Sequence, residues 1–437
     1  MAPRGAYLGG GLPTSAMEWC LVDGGEASAI SARARMIRRR RGLSLEVVAG
    51  LAGITKQYLS ALELGQRGFN RRGLIEDLAE ALGCSVADLT GQPYLPADRA
   101  AADAAALPGI ALAVYEYQLD DPPDLPARPV AQLAAAVAHA NAALDEAKFS
   151  LAVRHLGALI GELTVAAVSG STDSRRTALA ALAEACMVGT ATARHLGRPE
   201  LAIQAARRGY DAASMLGDPA LTAQLAVQRS LGLTWIGARR RVTDVLDKAL
   251  AAITPVADPS AADTSPAEAA GMLHLTAAWH HALQKHASDA DAHLRETADL
   301  AAATGERNAL HLHFGPAHVT AWGLEVAVEL GRGTAAAERI SGDVPRLLDT
   351  LESPNRRCVL HFNLARSYAQ AEGARDGQAL LNLDLADRIA PQGVRNVPVA
   401  REVLLDLDRR ARFRVWELVS LRNRFGISGQ GQRTADN

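Results

Sequence analysis

Cysteine is scarce in this chain: four in 437 residues, at Cys20, Cys84, Cys186 and Cys358, with no CxxC pair among them. Such spacing supplies neither a disulfide framework nor a zinc framework, and it suits a reducing compartment. Aromatic residues are also few, at 4%. Large β-sandwiches and barrels draw on aromatic and β-branched side chains, so the shortage argues against them. No apolar run of about 18 residues is free of charge. The N-terminus lacks an apolar segment of signal-peptide length. These absences lead to the expectation of a cytoplasmic, nucleoid-associated protein with no membrane partner. Catalytic signatures are missing too: no P-loop Lys-Ser/Thr, no GxGxxG after a strand, no nucleophile elbow. An enzyme is not expected, and neither is a catalytic residue or a cofactor.

What the chain does have is alanine and leucine, within a hydrophobic share of 49%. That composition favours helices, and the length suggests roughly two to four units of domain size. The expected fold class is all-α: an N-terminal unit of five helices and a C-terminal helical solenoid. The net charge of −2 hides an asymmetry. Between Arg33 and Arg72 stand ten Arg and Lys residues against only Glu46 and Glu63, a local charge of +8 that leaves −10 for the rest. A basic island on an acidic body points to one unit that meets a polyanion.

Punctuation divides the chain. Residues 1–27 are glycine-rich without periodicity and read as a disordered tail. Residues 28–94 read as a compact helical unit. Residues 95–128 carry Pro122, Pro123 and Pro126, with Pro129 just beyond, and read as a linker with one short helix around 110–117. Residues 129–424 repeat helix after helix of about 12 to 20 residues, and 425–437 read as a second tail. Ala379, Leu383, Ala386 and Pro391 follow the spacing of the second helix of a tetratricopeptide repeat; 196–209 is a weaker copy. An irregular α-bundle is the alternative.

The segment 35–89 is the most specific. Ser44 can N-cap a second helix, with Leu43 and Val48 as a hydrophobic staple. Ala49 is small enough for a close helix crossing, and Gly53 allows a sharp turn at positive φ. Thr55 can cap a third helix, with Ile54 and Leu59 as staple. Two capped helices across a short turn make a helix-turn-helix. Its core is expected from Ile37, Val48, Ile54, Leu59, Leu62, Leu74, Leu78 and Leu82.

The run GLSLEVVAGLAGITKQYLSALELGQR resembles the phage-repressor type (Xre-like) helix-turn-helix. The resemblance implies that the third helix enters the major groove and that 74–82 and 86–89, capped by Ser85, complete the domain. It implies DNA contacts for Thr55, Lys56, Gln57 and Ser60; Gln57 suits adenine, and Lys56 suits guanine or phosphate. Ser44, Gln66 and Arg67 join that candidate set, and Tyr58 is either a phosphate contact or core. Glu63 and Gly65 match the family's helix-ending motif. Leu45 and Ala61 depart from the pattern, where a polar and a long basic residue are common. Arg38, Arg39, Arg40 and Arg41 end the first helix, where phosphate contact is expected. The alternative for these polar and basic residues is an ordinary solvated face.

Farther on, FGPAHVTAWGLEVAVELG and ALLNLDLADRIAPQGVRNVPVAREVL are similar to actinobacterial regulators with tetratricopeptide-like C-terminal halves. The resemblance implies transcriptional regulation and supplies no general ligand; a pseudo-palindromic duplex DNA operator and a peptide, small molecule or protein as effector are the expected partners. A solenoid offers a concave face, for which Trp279, His280, His313, Phe314, Trp322, Arg357 and Asn363 are candidates, beside Trp235, Asn308, Arg356 and Phe362. Core packing is the alternative for the aromatics. Eight of the twelve histidines lie between His274 and His318; His274 and His281 are seven apart, as are His286 and His293. Asp291 and Glu296 are near in sequence, but without a metal-binding motif no metal is expected; a polar pocket, a pH response and plain structural roles remain open. Phe413, Trp416, Leu418 and Val419 form an apolar stripe that either pairs two copies into a homodimer or caps the solenoid. The competing function is a protein-interaction adaptor with weakened DNA binding.

Overall fold

The computed structural model describes residues 29–84, 86–91, 100–413 and 415–427. The expectations for residues 1–27, Cys20, the Ser85 cap and the tail beyond 427 lie outside the described residues. Every regular element among those described is helical. The N-terminal unit contains α1 (Ala29–Arg40), α2 (Leu45–Leu51), α3 (Lys56–Glu63), α4 (Arg72–Leu82) and α5 (Val86–Thr90). Then come α6 (Ala100–Tyr115), α7 (Val130–Asp145), α8 (Phe149–Val153), α9 (Leu156–Ser169), α10 (Thr172–His195), α11 (Pro199–Leu216), α12 (Pro219–Trp235) and α13 (Arg239–Ile253). The remainder is α14 (Ser265–Leu283), α15 (Ala287–Thr304), α16 (Pro316–Glu329), α17 (Gly333–Ile340), α18 (Val344–Thr350), α19 (Pro354–Ala369), α20 (Asp376–Ile389), α21 (Pro391–Arg395), α22 (Pro398–Arg410) and α23 (Trp416–Arg424).

Sequential helices pair as hairpins, most extensively α10 with α11, α14 with α15 and α19 with α20. The repeat-like residues explain the close pairing. Ala379, Leu383 and Ala386 are fully buried on α20, and Ala202 and Ala206 on α11. Small side chains at these crossings let neighbouring helices interdigitate at native packing density.

The segment expected to be a linker with one short helix around 110–117 carries a longer helix that starts earlier. Residues 100–115 form α6, and Ile110, Ala113 and Val114 are buried with α7, α9 and α10 in one apolar cluster. Alanine-rich α6 shows no amphipathic period, and Pro108 lies inside it, so its pattern concealed a helix that packs by small residues. Residues 149–169 have the length and composition of a membrane span. They carry Arg154 and Glu162 and break between α8 and α9. Phe149 packs in a second cluster, while Leu156, Leu159, Ile160 and Leu163 fill the first; this is core helix.

The second cluster joins the N-terminal unit to the C-terminal helices: Ile30, Leu59, Phe69, Leu78 and Leu89 belong with Leu324, Leu364, Leu383, Leu404 and Leu421. The N-terminal unit is therefore docked on the helical body rather than tethered beside it.

Candidate nucleic-acid interface

The N-terminal unit is assembled by local caps that the sequence chemistry anticipates. Ser44 accepts the Val47 amide at 3.2 Å and starts α2; Thr55 accepts the Tyr58 amide at 3.1 Å and starts α3. Gly53, at φ +62°, makes the turn between them, a conformation that costs an L side chain energy. Val48, Leu59, Leu62, Leu74, Leu78 and Leu82 are buried as expected, with Ile37 and Ile54 packed at the edge. Ile30, Ala34, Phe69 and Ile75 extend this core.

Thr55, Lys56 and Gln57, at the start of α3, are exposed; Ser60 and Tyr58 are half-buried, and Tyr58 packs against the core. Ser44 is exposed and occupied as a cap. Lys56 is held by Glu46 of α2, an exposed pair that keeps the Glu46 carboxyl below its ordinary range through the Lys56 hydrogen bond. Arg39, Arg40 and Arg41 are exposed at the end of α1, as are Gln66 and Arg67 after α3. Arg67 is ion-paired at 2.7 Å with Glu372.

Arg38 is a correction to the basic run. Its guanidinium binds both Glu63 oxygens, at 2.6 and 2.7 Å, and the Leu43 carbonyl at 2.9 Å. A fork-shaped guanidinium matches a carboxylate in two parallel bonds, so Arg38 braces α1 against the end of α3 instead of facing phosphate. Glu63, which the family motif marks as a helix end, is its buried partner.

Within the N-terminal unit, α4 is bolted to the helical body by charge. α4 lacks a side-chain cap of its own. Glu329, at the end of α16, supplies one: it accepts the Arg72 amide at 3.3 Å and the Gly73 amide at 3.2 Å. A carboxylate at a helix N-terminus satisfies orphan donors and meets the positive end of the dipole. Glu329 is held in turn by Arg366. Arg72 binds Glu76 and the Thr234 carbonyl, both at 3.0 Å, and lies over the Trp235 ring at 4.8 Å. Arg239 reaches Asp77 at 2.7 Å, and Lys285 reaches it at 2.9 Å. Burial pushes the Glu76 carboxyl up, against the pull of Arg72 and Arg239. A β-carbon on Gly73 would stand 2.8 Å from the Leu283 carbonyl, so the two backbones touch there.

Several of the side chains expected on a concave ligand face are buried or bonded within the helical body. Trp279, His280, Phe314 and Asn363 are buried. The Phe314 ring lies over Gly271, and Asn363 donates to the Ala321 carbonyl at 3.2 Å. Trp322 meets Trp279 edge-on, and Arg357 is bonded to the Leu351 carbonyl at 2.6 Å. His313 pairs with Asp145 at 2.9 Å. Burial opposes ionisation of Asp145, but hydrogen bonds from His311 and His313 overcome it and hold that carboxyl well below the carboxylate range. Aromatic and amide side chains among alanine-rich helices fill volume that alanine leaves.

Residues 29–90 match the family model of a helix-turn-helix domain. The N-terminal unit is a helix-turn-helix domain. No curated protein and no solved structure matches the chain. The helix-turn-helix domain is a DNA-binding module, and its α3 stands where such modules carry the recognition helix.

Proposed function

We propose that the chain is a sequence-specific DNA-binding transcriptional regulator, with α3 as its reader and the helical body as the part that senses a peptide, small molecule or protein. The observation that carries this reading is the polarity of the reader. Thr55, Lys56 and Gln57 are exposed at the start of α3, Arg39, Arg40 and Arg41 are exposed at the end of α1, and the N-terminus of α4 is tied to Glu329. A docked reader with a free polar face can present one helix to a major groove and transmit a movement of the body to it.

Gln57→Ala is expected to relax base preference at one position per half-site and to cost about 1–3 kcal/mol in affinity for the preferred site. Competition binding against every single-base variant measures this; unchanged affinity and motif would show that α3 is oriented differently. Converting Arg39 and Arg40 to Ala together is expected to weaken binding to all sequences alike and to flatten the salt slope by about two. Titrations across salt concentrations check it, and an unaltered slope would place these side chains off the duplex.

A homodimer completes the reading, because one reader covers half an operator. Phe413 and Trp416 are 85% and 68% exposed, with Val419 beside them, while Leu418 turns inward and is buried with Leu421 and Phe425. The burial of Leu418 supports a capping role for the C-terminal helix, and the exposed Phe413, Trp416 and Val419 support contact with a second copy. Sedimentation equilibrium at micromolar concentration is expected to give a dimer; a monomer both free and on DNA would remove this part. The adaptor alternative rests on Leu45 and Ala61, and a preferred DNA sequence with steep salt dependence is what it does not produce.

A further inference from the structure

The histidines of α14 and α15 converge on the turn that touches the reader. His274 and His293 approach Nδ1 to Nδ1 at 2.9 Å. His293 stacks on His281 with ring centres 5.3 Å apart, and His286 lies 6.0 Å from His281. Four imidazoles thus form a ladder across the hairpin, from His274 to His286 at its turn. Asp289, on the first turn of α15, closes the ladder at that end. One ligand-type atom each from His281, His286 and Asp289 lies within 4.8 Å of the others. The Nδ1 of His281 is shielded from solvent, has no hydrogen-bond partner and stands 3.8 Å from the Asp289 carboxylate. An orphaned buried nitrogen costs stability unless something occupies it.

From this geometry we propose that His281, His286 and Asp289 form a divalent transition-metal site, and that metal binding there regulates the reader. Two imidazoles and one carboxylate suit zinc, cobalt or nickel far better than calcium or magnesium. Around tetrahedral zinc the ligand atoms stand about 3.3 Å apart. His286 and Asp289 are exposed and free to close that gap by rotation, which leaves a fourth position to water. Asp289, not Asp291 or Glu296, is the carboxylate that matters, because it sits one turn from His286.

The regulatory part rests on the DNA-binding reading and on the contacts of the turn. Lys285 is ion-paired with Asp77 of α4, and its Nζ lies 3.8 Å from the β-position of Gly53 in the helix-turn-helix turn. Leu283 abuts Gly73. A metal that draws His286 toward His281 fixes the residues on either side of Lys285, and so the seat of α4.

The test uses the untagged full chain, stripped with chelator and titrated with Co2+ and Zn2+. The expected result is one equivalent bound, with visible cobalt absorption of a four-coordinate site. His286→Ala and Asp289→Asn should each weaken binding by at least about tenfold, the loss that even outer partners of a metal ligand bring. Both positions are exposed, so metal-free melting curves should match the wild type, and His139→Ala, on an exposed histidine elsewhere, should change nothing. Absent binding, or binding indifferent to both variants, overturns the site. Zinc should shift operator affinity by about fivefold or more in the wild type and not in His286→Ala. Metal bound with unchanged operator affinity overturns the regulatory part. A chain that binds metal as expected but selects no DNA sequence would instead overturn the DNA-binding reading.

Discussion

Glu329→Ala is expected to lower stability by about 3–5 kcal/mol, the cost of removing one partner from a buried ion pair. The carboxylate is 1% exposed and its Arg366 partner 2%. The loss has two parts. Arg366 keeps a bond to Glu325 at 3.2 Å but sits in a site built for two carboxylates. The amides of Arg72 and Gly73, at the start of α4, lose their acceptor in a region where water does not reach them. Glu329→Gln retains an acceptor for an amide while leaving Arg366 short of charge, so it should fall between the wild type and Glu329→Ala. Denaturant unfolding measures the stability, and hydrogen exchange at Arg72 and Gly73 reports whether the reader has come off its seat. A change within about 1 kcal/mol would mean that the reader does not depend on this clamp.

Arg38→Ala is expected to cost about 3 kcal/mol, at the lower end of the same range because the pair is less enclosed. Arg38 is 12% exposed and Glu63 5%. Without its guanidinium, Glu63 is left buried beside the Leu43 carbonyl that Arg38 also served. The signature that separates this role from a phosphate contact is the combination of readouts. Stability of the chain should fall while the salt slope of DNA binding, measured below the unfolding transition, stays as in the wild type. Unchanged stability with a slope lowered by about one would restore Arg38 to the phosphate-contacting set.

The contrast between Arg38 and its neighbours shows where sequence reasoning reached its limit. Ser44, Gly53 and Thr55 were legible because caps and turns depend on residues two to three positions apart. The partner of Arg38 is 25 residues away, and no local rule separates a paired arginine from three solvated ones. Glu329 and Gly73 are farther still, so the docking of the reader left no local trace. The α6 segment was legible only in its last turns, around 110–117, for another reason: alanine offers no contrast between faces, and the amphipathic period that marks a helix vanishes. The histidine ladder was half legible. The spacing of seven within each pair was visible, but the register between α14 and α15 that brings His281 to Asp289 belongs to tertiary packing.

The central claim is that α3 reads DNA sequence from a reader held on the helical body. Its most direct test is selection of bound duplexes from a random pool by the full chain, followed by the same selection with Gln57→Ala. The account predicts an enriched motif in two related half-sites centred about 34 Å apart, one helical turn, with preference at one position per half-site relaxed in the variant. A pool that stays random after selection, with binding that tracks salt alone, would contradict it.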